Sequence, residues 1–318
     1  MKTKPCALLF EAMYHGKYDF QDFIQSDISN YFDVIYVKDR KIQKPNRKLK
    51  AYHSFLNLFL FEYLRTNERV VFSYRKGVNA YDAVSAHANN KHFYQTDISD
   101  FFSSIDSQLI KETIIASAEL SPIEDLNEHL ERVLSLVTVD GRLPMGFSTS
   151  PLISNACLYK FDAALEEYSI SRHLTYTRYA DDLIISSKNR EDLEGIQEKI
   201  SELLLKTFNG RLSLNHSKSK LTHTGRKVKI LGMVILPTGK VSVDIKFKNK
   251  VEVLLHFYMK DREKFLDKVD GDMRGGMEKI SGYLNYINTV DKSYLDKLRK
   301  KFGGTIVDMF LHLPTKKP

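Results

Sequence analysis

Three aspartates stand where strand-forming sequence disfavours them. Asp97 closes the aromatic run His92–Ile98 (HFYQTDI), and Asp181 and Asp182 lie side by side between the β-type runs Leu174–Tyr179 and Leu183–Ser187. Strand interiors disfavour Asp, and adjacent carboxylates repel each other. A hairpin turn accommodates such a pair, so a solvated hairpin tip is one reading of Asp181-Asp182. The other is that strand-end acids from separate segments converge on a divalent cation, which takes oxygen ligands and cancels the repulsion. Mg²⁺ is held by a few carboxylates together with substrate phosphates. Two such ions would activate a primer 3′-hydroxyl and stabilise the departing pyrophosphate in an in-line displacement.

The elements that must carry these acids alternate. Residues 50–65 have apolar positions at helical spacing, and 92–98 read as a strand ending in an acid. Residues 111–137 read as helix broken near Pro122. Ser150-Pro151 signals a helix start running through Asn155 to about Tyr168, with Ser150 as the capping residue. The runs 174–179 and 183–187 form a hairpin with the acids at its turn, and 190–206 a charged amphipathic helix. Residues 228–236 and 240–243, split by Pro237-Thr238-Gly239, read as a second hairpin. From about Asn249 the pattern is helical, with Gly275-Gly276 as the expected break. Strands and helices interleave without a regular βαβ rhythm, so the fold class is α+β.

Composition narrows the chemistry further. The 318 residues are 42% hydrophobic and 28% charged, with 19 Phe and 17 Tyr, which excludes disorder as the main state. Two cysteines, Cys6 and Cys157, exclude a disulfide scaffold and suit a reducing compartment. No stretch approaches the roughly 18 apolar residues of a membrane span, and no export signal is seen, so the cytoplasm is the expected address. A net charge of +8 is concentrated in Lys38–Lys50 (KDRKIQKPNRKLK), His216–Lys229 and Lys297–Lys301. One such run is ordinarily a solvated face; three beside aromatic residues favour a nucleic-acid track. The signatures of a P-loop, a dinucleotide fold and a CxxC site are missing.

Tyr179-Ala180-Asp181-Asp182 resembles the YADD box of reverse transcriptases, and the chain from about residue 35 to 300 resembles the compact bacterial enzymes of the retron and defence-associated type. Phe93–Phe102 (FYQTDISDFF) is similar to the first palm motif, and Leu143–Asn155 (LPMGFSTSPLISN) to the second. Leu214–Lys220 (LNHSKSK) is similar to the segment after the catalytic hairpin, Ile230-Leu231-Gly232 to the primer grip, Arg40–Lys50 to the fingers strand-turn, and Ser281–Val290 to a thumb helix.

The resemblance implies a right-hand polymerase with fingers (1–95), palm (96–236) and a small helical thumb (237–318), performing RNA-templated DNA synthesis with two Mg²⁺ ions. It implies Asp97 and Asp181 as metal-bridging carboxylates, Asp182 as the third acid and the carbonyl of Ile98 as a further ligand. Lys218 matches the general acid for pyrophosphate departure, and Arg40 a contact to the triphosphate. Phe102 matches the steric gate against a 2′-hydroxyl, and Gly146 a point where backbone approaches nucleotide or template. Implied partners are an RNA template in the form of a cognate noncoding RNA, dNTPs, a DNA product or RNA–DNA hybrid, and an accessory effector protein in antiphage defence.

Three departures qualify the match. Met145 stands where the family commonly has Gln. Ala83–His87 keeps only the histidine of an upstream Asn-Ala-x-x-His element, and that His87 reads as a packed residue. Ile230-Leu231 replaces the usual Val-Thr of retrons before Gly232. These favour a defence-associated or unclassified relative over a retron making branched RNA–DNA. A template-independent or protein-primed polymerase of the phage-exclusion type is the nearest alternative, and a catalytically silent RNA-binding scaffold a more distant one. No segment reads as a ribonuclease H or endonuclease domain.

Overall fold

The period-2 runs of the sequence become short antiparallel strands and the 3.6-period runs become helices, which makes the chain α+β. The computed structural model describes residues 2–38 and 40–313. Strands β1 (Phe32–Val37) and β2 (Arg40–Pro45) form a two-stranded ribbon. Strands β3 (His92–Asp97), β4 (Thr175–Tyr179), β5 (Asp182–Ser187) and β6 (Lys220–His223) form one sheet in the order β4-β5-β3-β6. Strands β7 (Val228–Ile230), β8 (Met233–Ile235) and β9 (Val241–Val243) form an antiparallel meander.

The chain divides into two compact units. The first comprises residues up to Asn79, Tyr94–Ser186 and Glu191–Lys220. Its core packs Tyr52, Phe55 and Leu56 of the Arg47–Phe59 helix with Phe147, Phe161, Leu165, Leu183 and Ile185, all buried. The second comprises Ala80–Phe93, Ser187–Arg190 and the chain from Leu221 onward. There Leu254, Leu255, Ile280, Leu284, Leu298 and Phe310 form the interior of a helical bundle, beside the β7–β9 meander. Cys6 and Cys157 are free and buried. No helix among the described residues is long and apolar enough to cross a membrane.

Four expectations are corrected. Gly275-Gly276 does not break a helix: both lie inside Met273–Val290. The break comes at Asp270-Gly271, both left-handed, and Asp272 then caps the helix through Gly275 N at 2.9 Å. Gly276 is small because a Cβ there would stand 2.8–2.9 Å from Val269 and Phe265. The run 228–236 is two strands, since left-handed Leu231 and Gly232 turn the chain between β7 and β8. Ser150 is not a cap; it lies in the helix Ser150–Cys157, and its hydroxyl donates to Pro144 O at 2.7 Å. That helix stops at Leu158, and a separate one runs over Tyr159–Ser171.

Candidate active site

Strand β3 decides where Asp97 points. Side chains alternate along a strand, so Phe93, Gln95 and Asp97 share one face while Tyr94 and Thr96 take the other. Past Asp97 the backbone is held on two sides. Ile98 N donates to Asp181 O at 3.1 Å, and Asn215 N donates to Asp97 O at 2.8 Å. The first bond ties the end of β3 to the β4–β5 hairpin, where Tyr179 pairs with Asp182 and Ala180-Asp181 form the turn. The second ties it to the segment carrying Lys218, whose Nζ donates to Asp97 Oδ2 at 2.7 Å. Residues more than eighty positions apart in sequence thus meet.

The electrostatics at this point favour a cation. The Asp97 side chain is only 6% exposed, and its Oδ1 is buried with no hydrogen-bond partner. Burial, then the charge of Asp97, raises the Asp181 carboxyl above its ordinary value. Asp182 reaches solvent, yet partial loss of hydration and the charges of Asp181 and Asp97 push it up to about 6. Lys218 is raised by its hydrogen bond to Asp97. Desolvation and the mutual repulsion of the acids thus outweigh the lowering by Lys218, Arg40 and Lys220. Among the described residues no three His, Cys, Asp or Glu side chains close around a common point. The donor set that fits a hard cation is nevertheless there: carboxylate oxygens, one of them unpartnered, and the Ile98 backbone.

Asp97, Ile98, Asp181 and Lys218 line a cleft of about 680 Å³ in the first unit. Arg40 of β2 and Phe102 line it too, as does Met145. Phe102 is half-buried, its ring 5.3 Å from that of the buried Phe101. Asp182 and Gly146 are not in the lining. Gly146 packs against β2. A Cβ there would stand 2.4 Å from Gln43 O and 2.7 Å from Ile42 Cγ2, and its φ is +112°. The close approach it permits is that of β2, which Gln43 N secures by donating to Met145 O at 2.8 Å.

The second unit carries its own basic and aromatic groove. The Leu231-Gly232 turn lies there with Lys229, Lys246 and Phe247, and Lys250 Nζ sits 5.0 Å over the Tyr283 ring. His87, also in this unit, is fully buried, and burial pushes its imidazole down to about 3.

Sequence reasoning missed two groups. Tyr74 lines the cleft from a left-handed backbone position, φ 56°, that bulky residues rarely adopt. Arg178 is the largest fully buried side chain among the described residues and sits two residues before Ala180, where the acid pair's turn begins. The available signal was an arginine inside a β-type run together with Asp162 on the apolar side of a helix.

The family model described as reverse transcriptase (RNA-dependent DNA polymerase) matches residues 23–235. The Retron Ec83 reverse transcriptase of Escherichia coli is 22% identical over 300 residues, covering 91% of this chain and 92% of that protein. The Retron Ec73 reverse transcriptase of Escherichia coli is 26% identical over 276 residues, 83% of each. Among solved structures, telomerase from Candida Tropicalis in complex with a fragment of telomeric RNA superposes with TM-score 0.49 at 15% identity. It covers 85% of this chain, which spans about half (54%) of that one. With the acids, the cleft and the matched span taken together, the chain belongs to the reverse transcriptases, RNA-dependent DNA polymerases, and resembles among them the bacterial retron type.

Proposed function

We propose that the chain adds dNTPs to a primer end on an RNA template by two-metal nucleotidyl transfer, in which Asp97 and Asp181 would hold the ions. Asp182 serves as the third acid and the Ile98 carbonyl as a further ligand. Asp97 carries this reading: a buried carboxylate with one oxygen unpartnered, beside a second carboxyl whose ionisation is resisted, is costly unless a cation joins them. Two Mg²⁺ ions, or Mn²⁺ in their place, supply a more acidic primer hydroxyl and charge compensation at the leaving pyrophosphate.

The remaining roles fall to the chain's own groups. Lys218, protonated and held on Asp97, gives a proton to the pyrophosphate oxygen as it leaves. Arg40 binds the triphosphate from β2, and Gly146 lets that strand lie close enough for it to do so. Phe102, on the wall of the cleft, serves as the steric gate that bars a 2′-hydroxyl. Fingers (1–95), palm (96–236) and thumb (237–318) are the functional divisions we assign.

The partners we assign are an RNA template, specifically a cognate noncoding RNA, a DNA product or RNA–DNA hybrid, and an accessory effector protein. Support comes from the three basic runs and from the retron reverse transcriptases among the relatives. Antiphage defence in the cytoplasm is the setting that fits. The test is extension of a primer on an RNA template with labelled dNTPs. The wild type should copy the template, and Asp97→Ala and Asp181→Ala should incorporate nothing while still binding RNA. Incorporation by either variant overturns the acid assignment, and product unrelated to the template overturns the templated reading.

A further inference from the structure

The β4–β5 turn rests on a residue whose backbone needs outside help. Ala180 has φ 57°, in the left-handed region that L-residues disfavour. It is not glycine, so the surroundings must hold it. Both of its backbone polar groups are taken by side chains. Ala180 N donates to Ser73 Oγ at 2.8 Å, and Ala180 O accepts from Arg178 Nη1 at 3.0 Å.

Arg178 is itself fully engaged. Nε and Nη2 grip Asp162 at 2.8 and 2.7 Å, and Nη1 also donates to Asn155 Oδ1 at 3.0 Å. Nη2 makes a longer contact to Asn155 O at 3.4 Å. The network closes on itself: Asn155 Nδ2 donates to Ser73 O at 2.8 Å, and Tyr176 OH donates to Asp162 Oδ1 at 2.8 Å. Arg178, Asp162 and Ser73 are all 0% exposed, so none of them can touch a substrate. A buried ion pair adds little stability over a well-packed apolar pair, which points to geometry as what this one supplies.

We propose that Arg178 is a positioning residue of the polymerase: anchored by Asp162 and Asn155, and helped by Ser73, it locks Ala180 left-handed and so aims Asp181 at the cation site. This rests on the reading of Asp97 and Asp181 as metal-holding acids. The planar five-donor fork is what the role needs. A lysine keeps the charge but cannot span Asp162, Asn155 and Ala180 together.

The test uses the full chain and reads Mn²⁺ binding by electron paramagnetic resonance without nucleotide, thermal unfolding, and single-turnover incorporation. Arg178→Lys and the milder Ser73→Ala should weaken Mn²⁺ binding and lower kcat by about 10- to 100-fold, with the KM for dNTP little changed. Leu165→Ala, a cavity in the core of the same unit, serves as the stability-matched control and should bind Mn²⁺ as the wild type does. Wild-type Mn²⁺ affinity in Arg178→Lys and Ser73→Ala overturns the positioning role, as does equal weakening in Leu165→Ala. Should Arg178→Lys fail to fold, Ser73→Ala decides alone. Wild-type Mn²⁺ binding in Asp97→Ala and Asp181→Ala overturns the acids' role instead, and with it this assignment.

Discussion

The ammonium of Lys218 lies 2.7 Å from Oδ2 of Asp97, while Oδ1 of the same carboxylate is buried and bonded to nothing. One carboxylate therefore has a counter-charge on one oxygen and no hydrogen-bond partner on the other. Lys218 is otherwise exposed, its side chain 62% accessible, so it is free to turn from Asp97 towards a phosphate in the cleft.

Replacing that lysine should affect chemistry more than binding. Lys218→Met is expected to lower the single-turnover rate by about 10²- to 10⁴-fold, the span of a lost proton donor, and Lys218→Arg to recover part of it. Rapid-quench measurement at saturating dNTP checks this. An unchanged rate would leave Lys218 as a surface contact only.

Phe102 offers a test by selectivity. Cutting its ring to Val should admit ribonucleotides, with the ratio of kcat/KM for dNTP over rNTP falling by at least about tenfold, or roughly 1.4 kcal/mol. Competition between labelled dNTP and rNTP on one template gives the ratio directly. The ring is half-buried on the cleft wall, so the change opens space at the cleft without removing the buried neighbour Phe101.

Gly146→Ala should disturb the ribbon that carries Arg40. A methyl 2.4 Å from Gln43 O cannot be accommodated without moving β2, and φ +112° is strained for alanine. We expect a loss of about 2 kcal/mol or more from strain and overpacking together. A lower denaturant midpoint, accompanied by a weaker KM for dNTP, is the outcome to look for.

His53 sets an acid limb of stability. Burial pushes its imidazole down to about 4 from an ordinary 6.5, although its hydrogen bond with Leu136 O at 2.9 Å opposes the shift. Below pH 6.5 the unfolded chain takes up a proton that the folded chain still refuses. Stability is thus full above about 6.5 and falls as pH drops towards 4, by roughly 3 kcal/mol in total. His87 in the second unit acts in the same direction at lower pH. His53→Gln cannot titrate and should flatten this limb, as urea midpoints at a series of pH values would record.

How far the sequence disclosed all this depends on the range of the interactions. The acids were legible because their signals are local: period-2 runs end at Asp97 and flank Asp181-Asp182, and the strands form there. The Gly275-Gly276 break was misjudged because a glycine pair that ends helices elsewhere here lets Phe265 and Val269 pack close. Gly146 carried its signal, but its partner is a strand a hundred residues earlier, which no spacing rule names. The same holds for Arg178, whose partners Asp162, Asn155 and Ala180 come from three elements, joined through Ser73. Ser150 looked like a cap because Ser before Pro usually is one, yet it already lies inside the helix and its hydroxyl donates to Pro144 O.

Strand β3 has neighbours along both edges, so it cannot slide to absorb an extra residue. With the start of the strand held, one insertion within it would bring Thr96 to the place of Asp97 and one deletion would bring Ile98, and either would turn the carboxylate into the opposite layer. Surface loops of this chain can lengthen at little free-energy cost. In β3 the number of residues decides where the carboxylate stands, as much as the identity of the acid that ends it.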